Sequence, residues 1–377
     1  MITRIAVNNF KAFRKAELNL SLLNLFTGLN GIGKSIFIQS LLLLRQSDAN
    51  LMPDIRGLIL KGGDEGIIDL GKGKDVYSIH ADSDSDFIKF EVDINNTLFL
   101  DVAYDFDAES DVLPLSKTYP NNYNNPGNPS LFNNRFIYLI AERIGPEHNY
   151  KANLSAVKQK RFLGYRGENV PLFIALNKFE PVNLPSVQHK DAKTNNLISN
   201  LDAWLNDITP GSHVISTYYN ELDVVRIGYQ FDTGKDVTPE FSPVNVGFGF
   251  TYTLPVLTAI LSAEKGDLLI IENPESHLHP QGQAKMGELL AKAANDGVQI
   301  IVESHSDHLF NGIRIAVKNG AINKDDVSVF YFERDPESNE HITTIFEPII
   351  ESDGRISHKP KGFFDEYAKQ LDSLIRE

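Results

Sequence analysis

No cysteine occurs in the 377 residues, which excludes disulfides and thiolate-held metals outright while saying nothing about redox compartment. Long apolar runs are missing as well. None approaches the roughly 18 residues needed to span a bilayer. The start Met1-Ile2-Thr3-Arg4 passes directly into a strand-like pattern without a charged-then-apolar leader. No signal peptide and no membrane association are therefore expected, and a cytoplasmic location is. Positive charge is scarce: the formal net charge of −14 argues against broad coating of nucleic acid or an anionic membrane. A local basic groove is the remaining route to nucleic acid, with Lys151, Lys158, Lys160, Arg161 and Arg166 as its candidates. The same run also reads as a solvated helix face. Internal repeats, low-complexity tracts and coiled-coil heptads are absent too, and the chain is long enough for one large domain or two ordinary ones.

What is present starts with Gly28-Leu29-Asn30-Gly31-Ile32-Gly33-Lys34-Ser35, which has the spacing of a phosphate-binding loop. An apolar strand-like run, Leu22 to Thr27, precedes it, and Ile36 to Leu44 read as a buried helix. Small residues let successive backbone N–H groups point into one concavity, and the helix adds the positive end of its dipole. A polyphosphate is the natural occupant. Lys34 is expected to reach its β- and γ-phosphates, and the Ser35 hydroxyl to take one corner of a Mg²⁺ ion.

Around the loop the pattern is strand-rich. Ile2, Ile5 and Val7 mark a first strand, Phe10 to Arg14 a turn, and Ala16 to Leu20 further extended chain. Tyr77-Ser78-Ile79, Phe87 to Val92 and Leu98 to Val102, separated by Asp-Ser and Asn-Asn turns, predict an antiparallel β-subdomain. Residues 117–134 read as a surface loop. Phe136 to Ile140 is a buried strand, ending in Glu142 and Arg143 that face either a nucleotide or each other. Residues 150–207 look mainly helical, with Leu197, Leu201, Trp204 and Leu205 as a core stripe, and Val214 to Phe231 returns to strand. The domain expectation is an N-terminal lobe over 1–165, a mainly helical insert with a β-hairpin over 166–240, and a C-terminal lobe over 241–377.

The last third narrows the chemistry. Asp267 to Glu272 and Val298 to Glu303 are buried strands joined by a helix from Gln281 to Ala294, with Gly297 at its C-terminal cap. Such a unit is parallel. Glu272 then lies at the carboxyl end of a parallel strand, where a second Mg²⁺ contact belongs, and Glu275 is the candidate to polarise the attacking water. His305 follows the second strand, within reach of the γ-phosphate or that water. Asn245 to Gly249 opens an apolar helix, Thr253 to Ser262, so Gly247 and Gly249 form a candidate anion site. His277 and His279 suggest a metal pair, but no further ligands at zinc spacing accompany them.

Phe10-Lys11-Ala12-Phe13, the loop Gly28 to Ser35, the run Ile270 to Pro280 and the run Val302 to Ser306 resemble the ATP-binding-cassette ATPases of the SMC, RecF and overcoming-lysogenization-defect group. More narrowly they resemble short bacterial AAA-family ATPases of anti-phage defence loci. The matching stretches are residues 2–46 and 243–310, and the ending Asp353 to Ile356 and Lys361 to Phe364 is similar to the tail of the short relatives. The resemblance implies an α/β P-loop NTPase with an ABC-type head, an antiparallel β-subdomain and an inserted helical subdomain. It further implies a head-to-tail homodimer sandwiching two ATP molecules. In it Gly28 to Ser35 bind phosphates of one protomer, Gly247 and Gly249 meet the γ-phosphate from the other, Glu272 holds Mg²⁺, and His305 is the switch histidine. Phe13 or Arg14 would stack near adenine.

Three departures stand out. Val246-Gly247-Phe248-Gly249 lacks the serine of the Leu-Ser-Gly-Gly signature, and Asn273 stands where the catalytic Glu follows the Mg²⁺ ligand, so fast hydrolysis depends on Glu275 substituting. Gln39 and Gln46 lie too early for a glutamine lid. The stretch after His305 is too short for a Toprim nuclease domain, and the middle is too short for SMC arms. The expected function is an ATPase regulating a separate effector such as a nuclease or toxin. The alternatives are a nucleotide-sensing scaffold with little turnover and a RecF-like DNA-repair ATPase. Asn177-Lys178-Phe179-Glu180 imitates a guanine-reading element at the wrong place in the fold order.

Overall fold

Strict alternation places Ile88, Phe90, Val92 and Ile94 inward along the strand Phe87–Ile94 and leaves Lys89, Glu91 and Asp93 on the wetter face. This strand sits at the centre of a five-stranded sheet in the order Phe13–Asn19, Ile2–Phe10, Phe87–Ile94, Thr97–Asp105, Asn122–Tyr123, with every pairing antiparallel. On the outer face Arg4 bridges Glu17 and Glu91 at 2.8 Å, and Lys89 reaches Asp101 at 3.2 Å. Cross-strand opposite charges of this kind also disfavour a one-residue slip of register. The computed structural model describes residues 1–47, 57–63, 66–81, 85–124, 129–334, 343–360 and 362–375. The expected turn around 82–84, part of the 117–134 loop and Lys361 lie outside them.

The chain divides into two units. The first comprises Met1–Asn133, Ser328–Pro348 and His358–Glu377. Besides the antiparallel sheet it holds the strand Leu23–Gly28, the helix Ser35–Gln46, and, from Ser328 on, the strand Val327–Arg334 beside Thr343–Phe346. Phe13, Phe26, Phe37 and Phe332 interlock there with ring centroids 5.4–6.5 Å apart, and Phe330 meets Phe26 edge-on at 5.4 Å. Tyr77-Ser78-Ile79, expected as a strand, is instead the exit from a helical turn, Gly73–Val76. Tyr77 makes a single bridge to Phe10, and its ring stacks on Phe106 at 4.2 Å. Of the residues that suggested a strand, Tyr77 serves side-chain packing, while Ile79 is 86% exposed.

The second unit comprises Asn134–Val327 and Ile349–Ser357. Its strands Phe136–Leu139, Leu268–Glu272 and Gln299–Glu303 pair in parallel, with Leu268–Glu272 in the middle. The helix Pro280–Asn295 joins the last two strands, and Gly297, at φ +93°, ends the turn after it by donating to the Ala294 carbonyl. Buried on both faces, the two C-terminal strands are the continuous apolar runs the sequence contains. The 150–207 region forms helices over Leu154–Lys160, Val170–Asn177 and Leu197–Ile208. Leu197, Leu201, Trp204 and Leu205 are all buried, and the Trp204 indole N–H donates to the Val187 carbonyl at 2.8 Å.

A hairpin, Ser212–Tyr219 with Val224–Phe231, is tied to that helix by His213, whose Nδ1 lies 3.2 Å from Asp202 and Nε2 3.1 Å from Asp232. Burial pulls the His213 imidazole down, but its bonds to Asp232 and Asp202 outweigh this and the net shift is upward. Burial raises the Asp202 carboxyl despite the same pairing, so the two partners' shifts share a sign where a simple ion pair would split them. The histidine shift governs the neutral range. A raised imidazole contributes stability in full below its unfolded value near 6.5, lost as pH rises through the folded value. The melting temperature should therefore fall between about pH 6 and 8, and His213→Gln should flatten that slope. Because Asp232 is half-exposed, the difference should be at most about 3 °C. Parallel slopes for both proteins in calorimetry would reject the assignment.

Candidate nucleotide site

The phosphate loop is built by backbone conformations that few residues besides glycine adopt. Gly28, Gly31 and Gly33 have φ of +140°, +76° and +97°. A Cβ at Gly28 would lie 2.1 Å from the Phe332 carbonyl oxygen, and one at Gly33 3.0 Å from the Ile36 side chain. Leu29, Asn30 and Gly31 form the exposed crest, and the Ile32 carbonyl accepts from the Thr343 hydroxyl at 2.8 Å. Lys34, only 3% exposed, turns its ammonium back to the Leu29 carbonyl at 2.5 Å. Ser35 begins the helix, directly after the loop. A buried cation, open backbone and a helix N-terminus make a fit for a polyphosphate.

Gln39 and Gln46, on the same helix, are both engaged. Gln39 accepts from Lys11 at 2.7 Å, while Gln46 accepts from the backbone of Ile67 and Ile68 and donates to Ile59. Phe13, proposed to stack on adenine, is buried between Phe37 and Phe332. Arg14, the other residue of the pair, is exposed on its strand.

In the second unit the parallel register sets Glu272 beside Glu303 at the carboxyl ends of neighbouring strands. Glu272 accepts from the Tyr138 hydroxyl at 2.8 Å and from the Ala141 N–H at 3.2 Å, one donor per oxygen, which leaves acceptor capacity on both. Burial pushes its carboxyl up, Tyr138 pulls it down, Glu303 pushes it up again, and the net direction is upward. A half-buried and a buried carboxylate abreast are a donor set that suits a hard divalent cation. Among the described residues no group of three or more His, Asp or Glu side chains is placed to hold a metal unaided. Such an ion would need other oxygens, as it has when phosphates share it.

Beyond the strands the loops are stitched together. Glu275 accepts from the His305 backbone N–H at 3.1 Å through Oε1, and its Oε2 is buried with no protein partner. Ser306 caps the helix Asp307–Lys318 and donates to Gln283 at 2.5 Å, and Gln283 donates to the Leu278 carbonyl at 2.9 Å. The His305 ring is exposed. Asn273 has φ +44°, and its side-chain oxygen is buried and unpartnered, so its carboxamide points into the protein.

Glu142 and Arg143 part ways. Glu142 is exposed and pairs with Arg166 at 3.0 Å, whereas Arg143 is 1% exposed and donates to the Glu272 and Asn273 carbonyls at 2.5 and 3.1 Å. Burial pushes the Arg143 guanidinium down to about 10, against the opposing pull of Glu275 and Glu272. Arg143 was expected to face a nucleotide or Glu142 and does neither among the bonds described, while Glu303, Tyr138 and Gln283 carried no assignment in the sequence. Buried polar residues at strand ends were the only signal for them.

The apolar helix starts five residues earlier than its periodicity suggested, at Phe248, with Gly247 as its N-cap. Gly249 sits in the first turn, where a Cβ would come within 3.0 Å of the His277 carbonyl, while the space at Gly247 is open. His277 packs its ring edge-on against Tyr252 at 4.6 Å. A hollow of about 240 Å³ lies here, bordered by Gly247, Gly249, His277 and His279. Of the basic set, Arg161 pairs with Glu264 at 3.3 Å, and it and Lys158 border a hollow that also carries Glu180 and Glu264, so acids offset that cationic groove. Asn177 donates to the Phe173 carbonyl, a local helix contact.

Residues 23–311 match the family described as "AAA domain, putative AbiEii toxin, Type IV TA system". Residues 322–374 match one described as "Protein of unknown function (DUF3696)". No curated protein matches the chain. Among solved structures, an SMC head bound to the C-winged helix domain of ScpA aligns over 93% of this chain and 98% of its own, at 12% identity and TM-score 0.50. The SMC head domain from Thermotoga maritima aligns over 92% and 98%, at 12% identity and TM-score 0.44. The Pyrococcus furiosus Smc head with an extended coiled coil, bound to the C-terminal domain of ScpA, aligns over 100% of both, at 12% identity and TM-score 0.47. The first of these likenesses shows the fold, an α/β P-loop NTPase of SMC-head type. No helix among the described residues is long and apolar enough to cross a membrane.

Proposed function

The chain belongs to the AAA-domain family that residues 23–311 match, and from that premise we propose a magnesium-dependent ATPase that pairs with a second copy around ATP and regulates a separate effector. The Gly28–Ser35 cradle carries this reading, because three glycines at positive φ, a lysine at the helix start and the helix N-terminus together form the anion-binding geometry that a polyphosphate requires. Lys34 and the loop amides take the phosphates, Ser35 and Glu272 the magnesium, and Glu275 the attacking water. His305 senses the γ-phosphate, and Gly247 and Gly249 meet it from the partner copy. Magnesium, when bound, neutralises charge on the phosphate oxygens. The family description names a putative toxin of a toxin–antitoxin system; the output we propose is delivered to a second protein, a nuclease or toxin, in anti-phage defence.

One observation favours a second reading, a nucleotide-sensing scaffold: the Asn273 carboxamide faces inward and offers no base. Steady-state turnover separates the two. The ATPase reading expects magnesium-dependent phosphate release, and light scattering should show the mass doubling when ATP is added to a Glu275→Gln protein. ATP binding without release would leave the scaffold, and neither binding nor doubling would reject both. Salt-sensitive DNA binding in the same preparation would favour a repair ATPase.

A further inference from the structure

Asn273 precedes Pro274, and a residue before proline is pushed by the ring toward extended backbone. It nevertheless has φ +44°, in the left-handed region. Asparagine tolerates that region better than most residues, yet beside proline the conformation is costly and persists only where its surroundings impose it. Three bonds do so. The Asn273 N–H continues the parallel ladder to the Glu303 carbonyl at 2.8 Å. The Arg143 guanidinium grips the Asn273 carbonyl at 3.1 Å and the preceding Glu272 carbonyl at 2.5 Å. Arg143 comes from the far side of the strand pair, just beyond Phe136–Leu139, and its Nε has no partner in the protein.

We infer that Arg143 is a positioning residue for ATP hydrolysis, clamping the chain at Glu272-Asn273 so that Asn273 turns inward and Glu275 is delivered to the catalytic position. The inference rests on the ATPase reading above. The residue directly after the acidic strand is turned away by its backbone, so the carboxylate that acts on water comes two residues later. Glu275 is in place to do so because the left-handed step at Asn273 redirects the loop toward His305, whose N–H holds one Glu275 oxygen. A guanidinium serves this better than an ammonium, since two carbonyls need two donors in one plane.

The test compares Arg143→Lys, Arg143→Gln, Asn273→Ala, Asn273→Gly and the double variant Arg143→Gln/Asn273→Gly in magnesium-ATP turnover and fluorescent-ATP binding. Both Arg143 variants should lose at least about thirtyfold in kcat, with KM and ATP Kd within about threefold of wild type. Glycine adopts the left-handed region freely, so the double variant should hydrolyse at least about tenfold faster than Arg143→Gln. A merely structural arginine gives no such rescue. Turnover at wild-type rate in Arg143→Gln, or no rescue by glycine, overturns the inference. If the Arg143 variants do not fold, the Asn273 pair decides: Asn273→Ala should be at least about tenfold slower than Asn273→Gly, and equal rates overturn the inference. A wild-type protein that releases no phosphate defeats the ATPase reading itself, which is a separate outcome.

Discussion

Replacing Lys34 with alanine should abolish ATP binding while leaving the fold intact. The ammonium is almost fully buried, and the one bond described for it within the loop is to the Leu29 carbonyl. Bound phosphates would add charge-assisted hydrogen bonds to that ammonium. Hydrogen bonds to charged groups are worth about 1.5–3 kcal/mol each, so losing contacts to two phosphates weakens Kd by on the order of 10²- to 10⁴-fold. The melting temperature should stay level or rise. Gly28→Ala makes the useful contrast, because its Cβ would collide with the Phe332 carbonyl and strain a φ of +140°. That variant should lose stability and binding together, by several kcal/mol of backbone and steric strain. Titration with a fluorescent ATP analogue, alongside thermal melts, reads both. A Kd for Lys34→Ala within threefold of wild type would remove the foundation of the proposed activity.

The second large effect is expected at Glu275. Changing it to glutamine keeps an oxygen for the His305 N–H at nearly the same position, so loop geometry is conserved while the base is lost. General-base contributions of about 10²–10⁴ predict a fall of at least about a hundredfold in turnover, with ATP affinity within threefold of wild type. Wild-type turnover in Glu275→Gln would remove Glu275 from the chemistry. Robust wild-type hydrolysis that disappears in the variant would reject the scaffold reading.

The elements carrying these groups were mostly legible in the chain. The strands at Leu268–Glu272 and Gln299–Glu303, the helix between them and its glycine end follow from apolar runs and cap residues. Alternation located Phe87–Ile94, and four residues at helical spacing located the Trp204 stripe. Failures occurred where side-chain packing outweighed local pattern. Tyr77 looked like strand because it is aromatic among apolar neighbours, but it stacks on Phe106 at the end of a helical turn. Phe13 looked available to a base, yet an aromatic ring beside Phe37 and Phe332 gains more from burial than from exposure.

Of the local form of the Gly28–Ser35 loop, the amino-acid order alone determined nearly everything: three glycines where φ is positive, a lysine at the helix start and a serine after it fall within eight residues. Backbone dihedrals and caps are local, so spacing encodes them. Tertiary structure alone decided which polar groups meet beyond the strand ends. Arg143 finds the carbonyls of Glu272 and Asn273 because Phe136–Leu139 lies parallel to Leu268–Glu272, and Glu275 finds His305 because Gln299–Glu303 lies on the other side. A buried donor must take whatever acceptor its neighbouring strand presents, and which strand is the neighbour is a property of the folded sheet.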